Sequence, residues 1–228
     1  TSANNILFLV NDILDLAKLE KRKITLEKIP FSIKRLIDDL FIALNSKAIH
    51  NNVKLIKEID DYTPEEIYGD PVRIHQVLVN LLDNAIKFTK GGEVLLNAKL
   101  RKSKSENFID FKVKDNGSGI NNDKLKTIFN PYTQENKSTT RQYGGTGLGL
   151  SICKNIIDIM GGEISVESYI GKGSVFSFSI PINNPDSNDQ KLDENINLPL
   201  ERIKILLVED DLLNGELYSS LLKNNEKN

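Results

Sequence analysis

Five stretches of this chain carry apolar residues at helical spacing, and at least five shorter ones alternate or run as strands do. Residues 4–20 place Ile6, Leu7, Leu9, Val10, Ile13, Leu14, Leu16, Ala17 and Leu19 over a face too wide for a lone surface helix, so this segment is expected in a helical bundle and to self-associate. Ser32 is placed to cap a helix reaching about His50, and Val53–Ile59 reads as a strand. Asp70-Pro71 is a cap followed by a first-turn proline, opening a long helix to about Phe88. After a turn at Gly91-Gly92, strands are expected at 93–101 and 108–114, joined through Ser103–Asn107. Residues 121–143 are polar without sustained period and read as a mobile loop. A helix over 147–160 ends at Gly161-Gly162, and strands at 163–168 and 174–180 flank Gly171-Lys172-Gly173. Residues 183–199 are polar and read as a linker; Ile203–Val208 is a short buried-type strand followed by Glu209-Asp210-Asp211 and a helical pattern.

Composition narrows the class. The 228 residues are 39% hydrophobic and 27% charged, as in a globular protein. A formal net charge of −2 gives no general attraction to nucleic acid or an anionic membrane, so neither is expected as a partner. The one cysteine, Cys153, allows no internal disulfide and points to a reducing compartment; among Ile152, Ile156 and Ile157 it is expected to be a buried, inert thiol. No run approaches the roughly 18 apolar residues of a membrane span, and no signal peptide is visible. A cytoplasmic domain is expected, with any membrane anchor in regions outside this chain. Both ends read as cuts: the first residues lie inside a helical pattern without a start methionine, and the last follow soon after a new element begins.

Three polar constellations carry the chemistry. On the helix after Asp70, with Asn80 at zero and about 100° per residue, Asn84 falls near 40° and Lys87 near −20°. Ile74, Val77, Leu78, Leu81, Leu82, Ala85 and Phe88 fall between roughly 60° and 200°. One face is therefore core, and the other lines up two amides and an ammonium. Amide oxygens are hard ligands suited to Mg²⁺, and lysine supplies a point charge for phosphate. Next, Asp115-Asn116-Gly117-Ser118-Gly119 follows a strand and puts a carboxylate beside glycines, where a plain Asx turn is the alternative. Last, Tyr143-Gly144-Gly145-Thr146-Gly147-Leu148-Gly149-Leu150 opens a helix with four glycines in six residues. Such a start presents unpaired N–H groups and a positive dipole end to a phosphate.

In this order the asparagine helix, Asp-x-Gly-x-Gly and Gly-x-Gly-x-Gly resemble the N, G1 and G2 boxes of sensor histidine kinases, over residues 70–180. Phe129-Asn130-Pro131-Tyr132 resembles their F box, with Tyr132 where phenylalanine is usual, and Gly171-Lys172-Gly173-Ser174 their last glycine turn. The resemblance implies a two-layer α/β sandwich of the superfamily shared with gyrase, chaperone and mismatch-repair ATPases, binding ATP and Mg²⁺. It implies Asn84 as the Mg²⁺ ligand with Asn80 beside the metal and phosphates, and Lys87 on phosphate. Asp115 would accept from the N6 amine of adenine beside Gly117 and Gly119, with Ile120 against the ring. Tyr143, Gly145, Thr146, Gly147, Leu148 and Gly149 would lie along the phosphates, and Arg141 would reach the triphosphate on closure, a solvated loop arginine being the alternative. Hydrolytic relatives carry a glutamate where this chain has Asn80, which cannot take a proton at neutral pH, so transfer to an outside nucleophile is favoured over attack by water. Residues 11–20 resemble the second helix of the kinases' dimerisation domain, implying a homodimer and a phosphate-accepting histidine on a preceding helix absent from this chain. Residues 202–228 resemble the start of a receiver domain, implying a hybrid kinase that passes phosphate to a receiver or response regulator. The expected domains are 1–22, 23–182, 183–201 and 202–228. Neither His50 nor His75 is followed by the family's acceptor sequence, so neither is expected to accept phosphate. An ATP-binding module without transfer activity and an ATPase are the alternatives.

Overall fold

A computed structural model describes residues 25–103, 107–131, 133 and 147–182. Helix α1 (Ile33–His50) starts where Ser32, in extended backbone, accepts the Arg35 amide on its hydroxyl at 3.4 Å. Its inner face is Ile33, Ile37, Leu40 and Leu44, spaced four, three and four residues apart, as a single helical stripe must be. Asn52, at φ 55°, turns the chain into strand β2 (Val53–Ile59). A small antiparallel pair precedes the next helix, with β1 (Ile29–Phe31) running against β3 (Ile67–Gly69). Helix α2 (Pro71–Phe88) is capped by Asp70. The Asp70 Oδ1 accepts the Arg73 amide at 3.0 Å, and its Oδ2 accepts the Glu27 amide at 3.2 Å.

Strands β4 (Gly92–Arg101), β5 (Asn107–Asp115), β6 (Glu163–Tyr169) and β7 (Gly173–Ile182) complete a five-stranded sheet of order β2-β4-β5-β7-β6. The β2–β4 pair is parallel, as a crossover through α2 requires; the other pairs are antiparallel. Alternation along β4, β5 and β7 sends Val94, Leu96, Ala98, Ile109, Phe111, Val113, Phe178 and Ile180 to one face. Phe111 and Phe178, opposite each other in register, stack at 4.7 Å between centroids. Ile74, Val77, Leu78, Leu81, Leu82, Ala85 and Ile86 of α2 cover this face, together with Ile152, Ile156 and Ile157 of helix α4 (Gly149–Ile159). Lys112 and Lys114 stand on the open face. The result is a two-layer α/β sandwich, as the sequence predicts.

Several expectations need correction. Phe88 is not core: it is 38% exposed at the end of α2, where its carbonyl accepts the Ser118 amide, and Ile86 is buried instead. Within the expected loop, Asn121 caps a single helical turn, α3 (Asn122–Leu125), by accepting the Asp123 amide at 3.1 Å. Helix α4 begins two residues later than expected. Cys153 is fully buried, as expected. The expected helix over 4–20, Tyr132, most of the expected loop and the linker and receiver segments after 182 lie outside the described residues.

Candidate nucleotide site

Asp115 ends β5 between β4 and β7 and is 5% exposed. Its Oδ1 accepts the amides of Gly117 at 2.9 Å and Ser174 at 3.3 Å. Burial raises the carboxyl above its ordinary value of 3.8; those two amides and the Ser174 hydroxyl oppose the rise. Both bonds converge on one oxygen, so the carboxylate is oriented by the glycine turn, and among the described residues no ion pair neutralises it. Gly119 shows why that turn is glycine: at φ 69°, a Cβ there would sit 2.0 Å from the Tyr169 carbonyl oxygen. Ile120, half-buried against the core, donates its amide to Ser168 Oγ at 2.8 Å.

Ser168 is a residue sequence reasoning missed. Its buried hydroxyl donates to the Gly173 carbonyl at 2.9 Å and lies 3.0 Å from Ser174 Oγ. It thus joins the backbone at Ile120 to the β6–β7 turn and, through Ser174, to Asp115. No sequence signal marks a single serine on an alternating strand.

The second group of candidate residues stands on α2. Asn80, Asn84 and Lys87 are all half-buried on it. Asn80 Nδ2 donates to the Gln76 carbonyl at 3.2 Å, which turns its oxygen outward. That oxygen faces the opening of α4, where a Cβ on Gly149 would stand 2.7 Å from Asn80 Oδ1. Helices α2 and α4 are held together one turn earlier, where the Cys153 thiol donates weakly to the Val77 carbonyl at 3.9 Å. Leu148, the residue just before α4, is buried; its carbonyl accepts from Ile152 at 2.9 Å and from Ser151 Oγ at 2.8 Å. The amides of Gly149, Leu150 and Ser151, ahead of the first bonded amide, have no partner within the helix. Lys87 has its ammonium pulled below its ordinary value, chiefly by burial, with Asp83 opposing and Lys47 adding to the effect.

Of the residues singled out in the sequence, Asn80 and Gly149 therefore meet, and Asp115, Gly117, Gly119 and Ile120 form one turn. Gly147, at φ 71°, leads into the start of α4 with Leu148. Arg141, Tyr143, Gly145 and Thr146 lie outside the described residues. The donors suit a nucleoside polyphosphate with a hard cation: a buried carboxylate, two carboxamides, a half-buried ammonium and the open start of an eleven-residue helix.

A mixed sheet backed by helices, with an asparagine-bearing helix facing a glycine-opened one, defines a domain of the two-layer α/β sandwich class. Residues 69–184, more than half of the chain, match the family described as histidine kinase-, DNA gyrase B-, and HSP90-like ATPase, and the chain belongs to that family. It is 37% identical over 209 residues to the sensor protein GacS of Pseudomonas syringae pv. syringae, covering 91% of this chain and 23% of that protein. It is 41% identical over 199 residues to hybrid signal transduction histidine kinase A of Dictyostelium discoideum, covering 84% of this chain and 9% of that one. Among solved structures, full-length ShkA in complex with AMPPNP superposes with a TM-score of 0.71 at 31% identity, over 80% of this chain and 37% of that one. The chain thus spans less than a quarter of the length of either of these curated relatives.

Proposed function

We propose that this chain is the ATP-binding catalytic region of a hybrid sensor histidine kinase in two-component signalling, moving the γ-phosphoryl group of ATP to a histidine on a helix outside this chain. The observation that carries this reading is Asn80 Oδ1 facing the opening of α4. A group at that place is positioned beside the phosphates, and a carboxamide there cannot activate water.

Each residue then has one task. Asp115 accepts from the adenine amine, Gly117 and Gly119 let the turn approach the base, and Ile120 presses on the ring. Asn84 would ligate Mg²⁺ with Asn80 beside it, and Lys87 and the amides at Gly147, Leu148 and Gly149 would hold phosphate oxygens. Arg141, Tyr143, Gly145 and Thr146 are assigned to the triphosphate side on the family resemblance. Mg²⁺ supplies neutralisation of the phosphate charge. A histidine nitrogen of the acceptor helix forms the new bond to phosphorus, the bond to the β–γ bridging oxygen breaks, ADP leaves and the imidazole proton goes to solvent. Residues 1–22 would supply the homodimer contact, and 202–228 the start of the receiver that next takes the phosphoryl group. The domain works in the cytoplasm, where its substrate is; among the described residues no helix is long and apolar enough to cross a membrane.

The test supplies a histidine-bearing dimerisation domain in trans with γ-labelled ATP. Acid-labile label on that domain is expected, and none on His50 or His75 of this chain alone. ATP hydrolysis without transfer would make the chain an ATPase, and binding with neither outcome would make it a regulatory module.

A further inference from the structure

One ion pair reaches the proposed phosphate site from outside its motifs. Lys47, in the last turn of α1, pairs through Nζ with Asp83 Oδ1 on α2. Asp83 stands one turn before Lys87 and, with Asn80 at zero, falls near −60° on the wheel, about 40° from Lys87. An acid four residues before a lysine is the favourable order for a pair along a helix. Asp83 accordingly attracts the Lys87 ammonium while Lys47 repels it, so the three charges share one neighbourhood. A carboxylate beside a phosphate-binding lysine works against that lysine. It repels the triphosphate and competes for the ammonium.

We infer that Lys47 is a positioning residue of the phosphate site: pairing with Asp83 across α1 and α2, it offsets the carboxylate beside Lys87 and keeps the Lys87 ammonium directed to the triphosphate. This deepens the reading of Lys87 given above and rests on it. Without Lys47, the nearest cation for Asp83 along its own helix is Lys87, and the site loses attraction for phosphate while adenine recognition at Asp115 stays intact. The side chains of Lys47 and Asp83 are 43% and 37% exposed, so solvent screens the pair and the effect is modest.

The experiment titrates the whole chain with Mg²⁺–AMPPNP and, separately, with adenosine. Lys47→Met is expected to weaken the triphosphate about threefold, a difference that shrinks at high salt, with adenosine unchanged. Adding Asp83→Asn to Lys47→Met should restore the triphosphate affinity, because the competing carboxylate is gone; Lys47→Arg should keep it. Equal weakening of both ligands by Lys47→Met would show a purely structural pair and overturn the inference, as would failure of Asp83→Asn to restore binding. Lys87→Met separates this inference from the reading beneath it. If Lys87→Met lowers triphosphate affinity and Lys47→Met does not, Lys47 alone loses its role; if Lys87→Met changes nothing, the phosphate role of Lys87 falls and the inference with it.

Discussion

Asp115→Asn is the sharpest perturbation of the proposed adenine contact. The exchange keeps the shape and removes the charge. The amides of Gly117 and Ser174 both point at Oδ1, so the asparagine carbonyl oxygen takes that position and its NH₂ takes the place of Oδ2. The two backbone bonds survive and the fold stands. Toward the pocket, an acceptor becomes a donor facing the N6 amine of adenine, itself a donor. A hydrogen bond to a charged group is worth about 1.5–3 kcal/mol, so ATP affinity should fall about 10- to 150-fold. The same reversal favours a purine whose position 6 bears an oxygen. ITP should therefore lose less than ATP and could overtake it. Calorimetric titration of wild type and Asp115→Asn with both nucleotides reads the two changes, with a thermal melt as the check on folding. A folded Asp115→Asn protein binding ATP as wild type does would refute the adenine assignment.

Gly119→Ala should cost about 2 kcal/mol or more of stability, since its Cβ meets the Tyr169 carbonyl at 2.0 Å on a backbone with φ 69°; a urea midpoint equal to wild type would contradict this. Asn84→Ala should abolish the tightening of ATP by Mg²⁺ while leaving adenosine binding alone, checked by titration with and without the metal. Acidification should weaken ATP at a pH above the ordinary carboxylate range, because the raised Asp115 group protonates early and loses its acceptor charge. Stability moves the other way. The folded state holds that proton more tightly than the unfolded chain, so the Asp115 contribution becomes more favourable as pH falls through the raised value toward 3.8, visible in paired melts of wild type and Asp115→Asn.

Elements with local signals were legible. Ser32 and Asp70-Pro71 marked two helix starts to the residue, because a cap is a contact between residues three apart. The long strands announced themselves by alternation. What was missed lacked local signal. β1 and β3 have three residues each, too short for a period, and form only because they meet across 35 intervening positions. α3 is a single turn defined by its cap. The wheel put Phe88 in the core because it treats a helix as endless, whereas Phe88 sits at the terminus where the chain leaves for β4. At the site, motif order pointed to Asn80 and Gly149, but their opposition depends on how α2 packs on α4. Lys47 and Ser168 belong to no motif, and only tertiary contacts reveal them.

The closeness of Asn80 to the space above Gly149 makes positions 80 and 149 a single unit, though 68 residues separate them. A carbon added on Gly149 would stand 2.7 Å from the Asn80 oxygen, so a side chain at 149 could enter only by displacing that amide. A glutamate at 80 extends the side chain by one methylene, about 1.5 Å, toward the start of α4. Asn80→Glu alone thus supplies a base without supplying room, and steady-state hydrolysis of ATP by this variant should stay near wild type. Conversion to a hydrolase would call for a remodelled loop ahead of α4 as well.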